Sequence, residues 1–262
     1  MKKIRIALLC YTYEESDEQN KEKVSRLLKK VEDADFVLLP EDSLDPDCRH
    51  PEKIPGEATR WLQEKARAHS VNIIGNLTER SGASLFNTCV IIDRKGQLVG
   101  SCRKVQLSYM DKSLRKLTPG KDLPLFKLEG IPFGVSICYD AWYPETVRNM
   151  VLNGAKLVFV PFREERPYIS YIRKLASARA IENVIPLVGC GGGGYSRRFD
   201  RSFKNYAYFA LPSGKIIKEE TIRELSVHTF PPLDALIKRE RSRMNWERPF
   251  DRNIKFNSEQ ND

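Results

Sequence analysis

Residues 134–145 read GVSICYDAWYPE, and the reading of this stretch decides the fold. Upstream of it, Ile131, Phe133, Val135 and Ile137 alternate with Gly134, Ser136 and Cys138, which puts the two sets on opposite faces of a β-strand. Cys138 is expected as the last residue of that strand, where it gives way to a turn and a helix. A thiol there projects from the carboxyl end of the strand into a crevice. Backbone N–H groups of the turn can face an oxyanion beside it, and the start of the helix favours a thiolate. A free cysteine is more often a small buried hydrophobe, and that reading serves for Cys10, Cys48, Cys89, Cys102 and Cys190.

The segments on either side alternate between strand-like and helix-like. IRIALL (4–9), DFVLLPE (35–41), VNIIGNLTE (71–79), LFNTCVIID (85–93) and KLVFVPF (156–162) are short apolar runs of the kind that form buried strands. Helical spacing is found over 20–34, 57–69, 141–153 and 168–183. DRKGQ (93–97) and Glu129-Gly130 read as hairpin turns. Residues 105–124 are polar and irregular. Helices interleaved with strands, hairpins among them and no linker or repeat indicate mixed sheets covered by helices in one domain spanning 1–262. The segment 237–262 is expected to be a tail wrapping the surface.

Composition sets the class. Hydrophobic residues make up 41% and charged ones 30%, enough apolar material for a full core. No apolar run reaches the ~20 residues of a membrane span, and the run Ile4 to Cys10 is too short for a leader. The six cysteines contain no CxxC pair or metal-finger spacing, so reduced thiols in the cytoplasm and no metal are expected. Net charge is +9, with basic stretches at 195–204 and 237–252. Acidic residues are scattered throughout, so a solvated basic rim is favoured over a nucleic-acid surface.

A nucleophilic thiol needs a base and an oxyanion stabiliser. The histidines are His50, His69 and His228, none in a recognisable setting. Two other residues stand at strand ends: Glu41 after FVLLP, where a buried strand emerges, and Lys104 after LVGSCR. With Cys138 they could converge at one rim of a sheet.

GVSICYDAWYPE resembles the nucleophile segment of the nitrilase, or carbon–nitrogen hydrolase, superfamily. LLPED (38–42) resembles that family's glutamate segment and CRKVQL (102–107) its lysine segment, in the same order. LTPGKDLPLF, NGAKLVFVP, ASARAIEN, LPSGKII and RSRMNWERPF carry the likeness over nearly the whole chain. The resemblance implies an α/β fold, a four-layer αββα sandwich of two mixed sheets flanked by helices. It implies a cofactor-free enzyme that hydrolyses a small linear amide or N-carbamoyl compound through a cysteine thioester and releases ammonia. Cys138 would be the nucleophile and Glu41 the general base and acid, with Lys104 and the Tyr139 N–H holding the oxyanion. It also implies a homodimer or higher homo-oligomer, with contacts through the helices after Cys138 and after VPF.

The sequence departs from the family pattern in places. Members often carry a second glutamate seven residues before the glycine of PG, and here that position is Ser113. Asp111 is a candidate substitute, but the gap-free count favours a solvated loop residue. GCGGGG (189–194) matches the GxGxxG phosphate fingerprint literally, yet no helix pattern follows, and a flexible loop beside the ligand is the favoured reading. Trp142, Tyr143, Arg163 and Glu164 are candidate pocket residues, the last two facing either a charged substrate tail or solvent. Two rival functions keep weight: a catalytically weak member that binds a partner through its basic face, and a Cys-His hydrolase using His228.

Overall fold

The computed structural model describes residues 2–217 and 224–244. The chain runs through β1 (Ile4–Leu9), α1 (Asp17–Leu28), β2 (Phe36–Leu38), α2 (Glu57–His69), β3 (Asn72–Ser81), β4 (Ser84–Ile92) and β5 (Leu98–Arg103). It continues with β6 (Phe126–Leu128), β7 (Ile131–Val135), α3 (Pro144–Leu152), β8 (Leu157–Phe162), α4 (Ile169–Asn183), β9 (Leu187–Gly191), β10 (Gly194–Ser196) and β11 (Arg201–Phe203). β12 (Tyr206–Ala210), β13 (Leu225–Phe230) and α5 (Leu233–Arg243) follow.

Two mixed sheets result. The first has the order β13-β1-β2-β3-β4-β5 and the second β12-β9-β8-β7-β6. In each, three strands run parallel at the centre (β1-β2-β3 and β7-β8-β9) and antiparallel strands flank them. The expected hairpin turns are present. Glu129 and Gly130 both take positive φ, 52° and 77°, as a tight primed turn demands.

The inner faces of the sheets pack on each other. Ile6, Leu8, Phe36, Leu38 and Ile91 of the first meet Phe133, Val135, Phe159 and Leu187 of the second in one apolar cluster. Phe36 lies 5.6 Å from Phe133 and 5.3 Å from Phe159, ring centre to ring centre. Truncating such a ring to alanine costs about 3–5 kcal/mol. On the outer face of the first sheet, Val37, Leu39, Ile73 and Val90 pack against Val24, Leu27 and Leu28 of α1 and Leu62 and Ala66 of α2. α3 covers β7 closely: a Cβ on Gly134 would stand 2.3 Å from Met150 Sδ, so any larger residue there would have to displace the Met150 side chain. The layers are therefore helix, sheet, sheet, helix.

Some boundaries differ from the sequence reading. α1 starts at Asp17, three residues earlier than the apolar pattern, because Ser16 and Gln19 form a capping box there. β7 ends at Val135 rather than Cys138. Cys138 has φ 49°, which an extended strand cannot accommodate, and it opens a five-residue 3-10 turn, Cys138–Trp142. Of the expected tail 237–262, residues up to Arg243 complete α5, with Leu236 and Ile237 buried, and residues 245–262 lie outside the described residues.

Candidate active site

Glu41, Lys104 and Cys138 each follow a strand that stops. β2 ends at Leu38, and Glu41 follows on a buried loop. Its carboxylate is oriented from the neighbouring strands: Asn76 Nδ2 donates to Asn87 Oδ1 at 2.7 Å, and Asn87 Nδ2 donates to Glu41 Oε1 at 2.7 Å. The Tyr13 hydroxyl donates to the Glu41 carbonyl at 2.6 Å. Lys104 follows β5, its N–H donating to the Asn87 carbonyl at 2.8 Å. Asn87 therefore fixes both the carboxylate and the lysine backbone.

The Lys104 ammonium is 2% exposed and lies 2.9 Å from Glu41 Oε1 and 2.8 Å from Asp111 Oδ2. Burial alone would lower its pKa, but Asp111, Glu41 and Cys138 together raise it well above the ordinary lysine value. Asp111 is not solvated as its count suggested; it is 1% exposed. A π-helical turn over Met110–Leu114 carries it inward, where the Ser108 N–H and hydroxyl donate to Oδ2 at 3.0 and 2.9 Å. Burial disfavours its charge, yet Lys104 and Arg115 hold its carboxyl far below the usual carboxylate range.

Arg115 links this group to a second one. Its NH1 donates to Asp111 Oδ1 at 3.1 Å and its NH2 to Asp42 Oδ1 at 2.9 Å, and Arg163 NH2 stands 3.7 Å from Asp42 Oδ2. Three cations (Lys104, Arg115, Arg163) thus interleave with three anions (Glu41, Asp111, Asp42), which lets six charges stay out of water together.

Cys138 is 7% exposed, with its thiol 3.8 Å from the Arg163 carbonyl. Burial first, then the Glu41 charge, push its pKa well above the ordinary thiol value, while Lys104 opposes them. The resting group is a thiol, in contrast to the thiolate expected from a helix start. A five-residue 3-10 turn has little dipole to offset desolvation. The first N–H groups of such a turn, Tyr139's included, find no acceptor inside it.

Asp140, which the sequence reading passed over, ties the nucleophile turn to the lysine loop. Its Oδ1 accepts from the N–H of Val105 at 3.1 Å and of Gln106 at 2.7 Å, and its Oδ2 from the N–H of Ile137 at 3.0 Å. Burial pushes its carboxyl up to about 7, against the pull of these donors and Lys104. Its place two residues after the cysteine is the available signal.

The candidate pocket residues divide. The Tyr139 ring meets Trp142 tilted at 5.9 Å and Tyr143 edge-on at 5.4 Å, and Trp142 meets Tyr171 of α4 at 6.0 Å, forming an aromatic cluster on the α4 side. Arg163 is buried, donates to the Pro46 carbonyl and sits 4.4 Å over the Phe203 ring. Glu164 is half-buried; burial raises its carboxyl to about 7, with Glu41 adding to the rise and Lys104 opposing it.

His228 lies on β13, its ring 5.3 Å from Phe209 and 4.7 Å from Phe230, while the charged groups with the largest effect on Cys138 are Glu41, Lys104 and Glu164. The glycine run is not a phosphate loop and not loose: Cβ atoms at Gly189, Gly191 and Gly192 would meet the rings of Tyr208, Phe162 and Tyr13, and β10 follows instead of a helix. The basic stretch 195–204 is largely paired: Arg197 with Glu15 at 2.6 Å, and Arg198 with the carbonyls of Asp47 and Cys48 at 2.5 and 2.6 Å. Among the described residues, the side chains grouped closely enough to share a cation are Asp17, Asp45 and His50, where His50 Nδ1 already pairs with Asp17 Oδ2 at 2.7 Å. No described helix is long and apolar enough to cross a membrane.

Comparison with known proteins gives the same picture. The family described as carbon-nitrogen hydrolase matches residues 5–230. A 2-oxoglutaramate amidase of Bacillus subtilis is 30% identical over 198 residues, covering 73% of this chain and 75% of the relative. A nitrilase of Pyrococcus abyssi is 29% identical over 224 residues, covering 80% and 82%. A CN-hydrolase superfamily protein of Xanthomonas campestris has the same fold, with a TM-score of 0.84 at 19% identity, covering 94% of this chain and 96% of the other. A Nesterenkonia amidase reaches 0.76 at 25% identity over 93% and 97%. Two mixed sheets between helices, with a buried thiol, carboxylate and lysine behind their strand ends, accord with that match: the chain belongs to the carbon–nitrogen hydrolase family, within the nitrilase superfamily.

Proposed function

We propose that this carbon–nitrogen hydrolase cleaves a small linear amide or N-carbamoyl compound with Cys138 as nucleophile, Glu41 as proton shuttle and Lys104 as oxyanion holder. The observation that carries the reading is the Lys104 ammonium at 2.9 Å from Glu41 Oε1, both buried and both acting on the Cys138 thiol. Because the thiol rests protonated, attack needs a base. Glu41 takes the proton as sulfur bonds to the amide carbon. The tetrahedral oxyanion is met by the Lys104 ammonium and the Tyr139 N–H. Glu41 returns the proton to the leaving nitrogen, ammonia departs and a thioester remains. Water then attacks the thioester, giving its proton to Glu41; the C–S bond breaks, Glu41 passes that proton to the departing sulfur to restore the thiol, and the acid leaves.

Asp111 takes the part of the family's second glutamate here. It keeps Lys104 charged while Glu41 changes protonation, since at every step one carboxylate remains against the ammonium. Two of the relatives described above are named amidases, which favours an amide over a nitrile. The six unpaired thiols suit a cytoplasmic setting. Exposed Tyr143, Tyr168 and Tyr171 beside α3 and α4 suit a homodimer, and residues 1–262 are read as one domain. Ammonia release across a panel of small amides, carbamoyl compounds and nitriles tests the reaction. Turnover by the wild type and none by Cys138→Ala is expected; turnover by Cys138→Ala would overturn the thioester route.

A further inference from the structure

Glu164 stands just beyond the carboxyl end of β8, and the carbonyl of the preceding residue receives the Cys138 thiol at 3.8 Å. Its neighbours in the chain are committed elsewhere. Arg163 turns into the interior toward Asp42, the Pro46 carbonyl and Phe203. Glu165 faces Arg201 at 3.8 Å and bridges to Phe203. The Glu164 backbone is pinned by the Lys204 N–H, which donates to its carbonyl at 3.0 Å.

Its side chain is the part left over. Oε1 accepts the Glu165 N–H at 3.1 Å, and among the described residues no cationic nitrogen lies within 4.0 Å of the carboxylate. Besides its neighbour Glu165, the charges that act on it belong to the catalytic group: Glu41 repels it and Lys104 attracts it, and it in turn acts on Cys138. The six interior charges already balance one another, and of the two further carboxylates near them Asp140 is taken up by three backbone N–H groups, which leaves Glu164 as the carboxylate without a partner cation or a full set of donors among the described residues. A half-buried carboxylate with no counter-charge is poorly solvated and is relieved by any cation that docks on it.

Resting on the amidase reading, we infer that Glu164 selects amides whose far end carries a cation, such as an ammonium, amidinium or guanidinium, docked on its carboxylate while the amide carbon lies at Cys138. Arg163 is unsuited to the opposite choice, a carboxylate-ended substrate, because its guanidinium is held inside by Asp42 and the Pro46 carbonyl. Ionisation of Glu164 through about pH 7 makes the preference stronger as pH rises. The other groups facing it there are Glu41, Glu165, Lys104 and the Cys138 thiol.

The test uses the full chain and two readouts. In the first, Cys138 is alkylated with 2-bromoethylammonium, iodoacetamide or iodoacetate, and the modified peptide is followed by mass spectrometry; each reagent forms a C–S bond and releases halide. The ratio of cationic to anionic rates above neutral pH is expected to fall about tenfold in Glu164→Gln, the worth of one nearby charge in a partly screened site. Glu164→Asp, which keeps the charge, should retain most of the preference and guards against misfolding. A ratio unchanged by Glu164→Gln, or a Cys138 that the cationic reagent reaches no faster than it reaches Cys10, overturns the inference. In the second readout, kcat/KM for 5-aminopentanamide relative to pentanamide should also fall about tenfold in Glu164→Gln. Hydrolysis of both amides with a ratio indifferent to Glu164 refutes the charge assignment and leaves the reaction standing. Charge-selective alkylation that depends on Glu164, with no amide hydrolysed, refutes the reaction and leaves the assignment standing.

Discussion

Asp111→Asn removes one of the three anions that balance Lys104, Arg115 and Arg163, and changes the shape of the site very little. At 2.8 Å and an effective dielectric of about 20, the Lys104–Asp111 attraction is about 6 kcal/mol before solvation is counted. Breaking a buried pair by removing one partner costs about 3–5 kcal/mol net. In a chain of this size that lowers Tm by about 6–20 °C. The catalytic loss has a separate origin. With Asp111 neutral, the Lys104 ammonium has Glu41 as its remaining carboxylate neighbour, and that carboxylate must leave it uncompensated each time it takes the thiol proton, so kcat should fall at least about 10²-fold. The pH dependence follows from the direction of the lysine shift. Lys104 in the folded protein holds its proton well above the ordinary lysine value, so its contribution to stability is complete below that ordinary value and is lost as pH rises through the folded one. Asp111→Asn lowers the folded value, so the alkaline limbs of both stability and kcat/KM should move to lower pH. Thermal unfolding by circular dichroism and kcat/KM against pH measure both. A variant that melts within about 2 °C of the wild type with an unmoved alkaline limb would refute the reasoning, because a buried ammonium would then have lost a counter-ion without consequence.

Glu41→Gln should cost about 10²–10⁴-fold in rate, while His228→Ala should stay near wild type; the reverse pair of results would hand the chemistry to a Cys-His mechanism. Asp140→Ala leaves three backbone N–H groups of two loops without their acceptor, at about 1–3 kcal/mol each, and should lower both Tm and kcat; unchanged kinetics would remove its role in holding Lys104 to the nucleophile turn. Iodoacetamide should modify Cys138 before Cys10 and Cys89, which are wholly buried, and mass spectrometry showing equal labelling would count against the nucleophile. Light scattering at micromolar concentration should report a dimer or larger species, and a monomer would refute the contact assigned to α3 and α4.

The parts of the site that the sequence announces are those that end a strand. Glu41 stands behind a short buried run and Lys104 behind a half-exposed edge strand, and both runs stop where the sequence shows them stopping. Asp111 escaped because its inward turn is a π-helical one in a stretch without periodicity, where counting residues does not track direction. Asn87, Asp42 and Arg115 escaped for a related reason: a buried polar side chain looks like a surface one until its partner is folded against it, Asn76 for Asn87, Arg115 for Asp42 and Asp111 for Arg115. The end of β7 could not be read, since nothing in SICYD reports that Cys138 adopts a positive φ. The glycines at 189–193 were read as loose because the rings that crowd them, from Tyr13, Phe162 and Tyr208, come from distant parts of the chain.

The order in which the first sheet is completed has a consequence for synthesis. β1 pairs on one side with β2 and on the other with β13, so residues 4–9 emerge from the ribosome more than two hundred residues before the partner for their outer edge. Until Leu225–Phe230 arrive, that strand presents a free row of N–H and C=O groups, the template on which nascent chains cross-pair. Arg5, half-buried on this strand opposite Thr229, supplies a charge along the waiting edge. Truncation ahead of residue 225 should therefore show itself first as aggregation of newly made chains, even though Glu41, Lys104 and Cys138 are all still encoded.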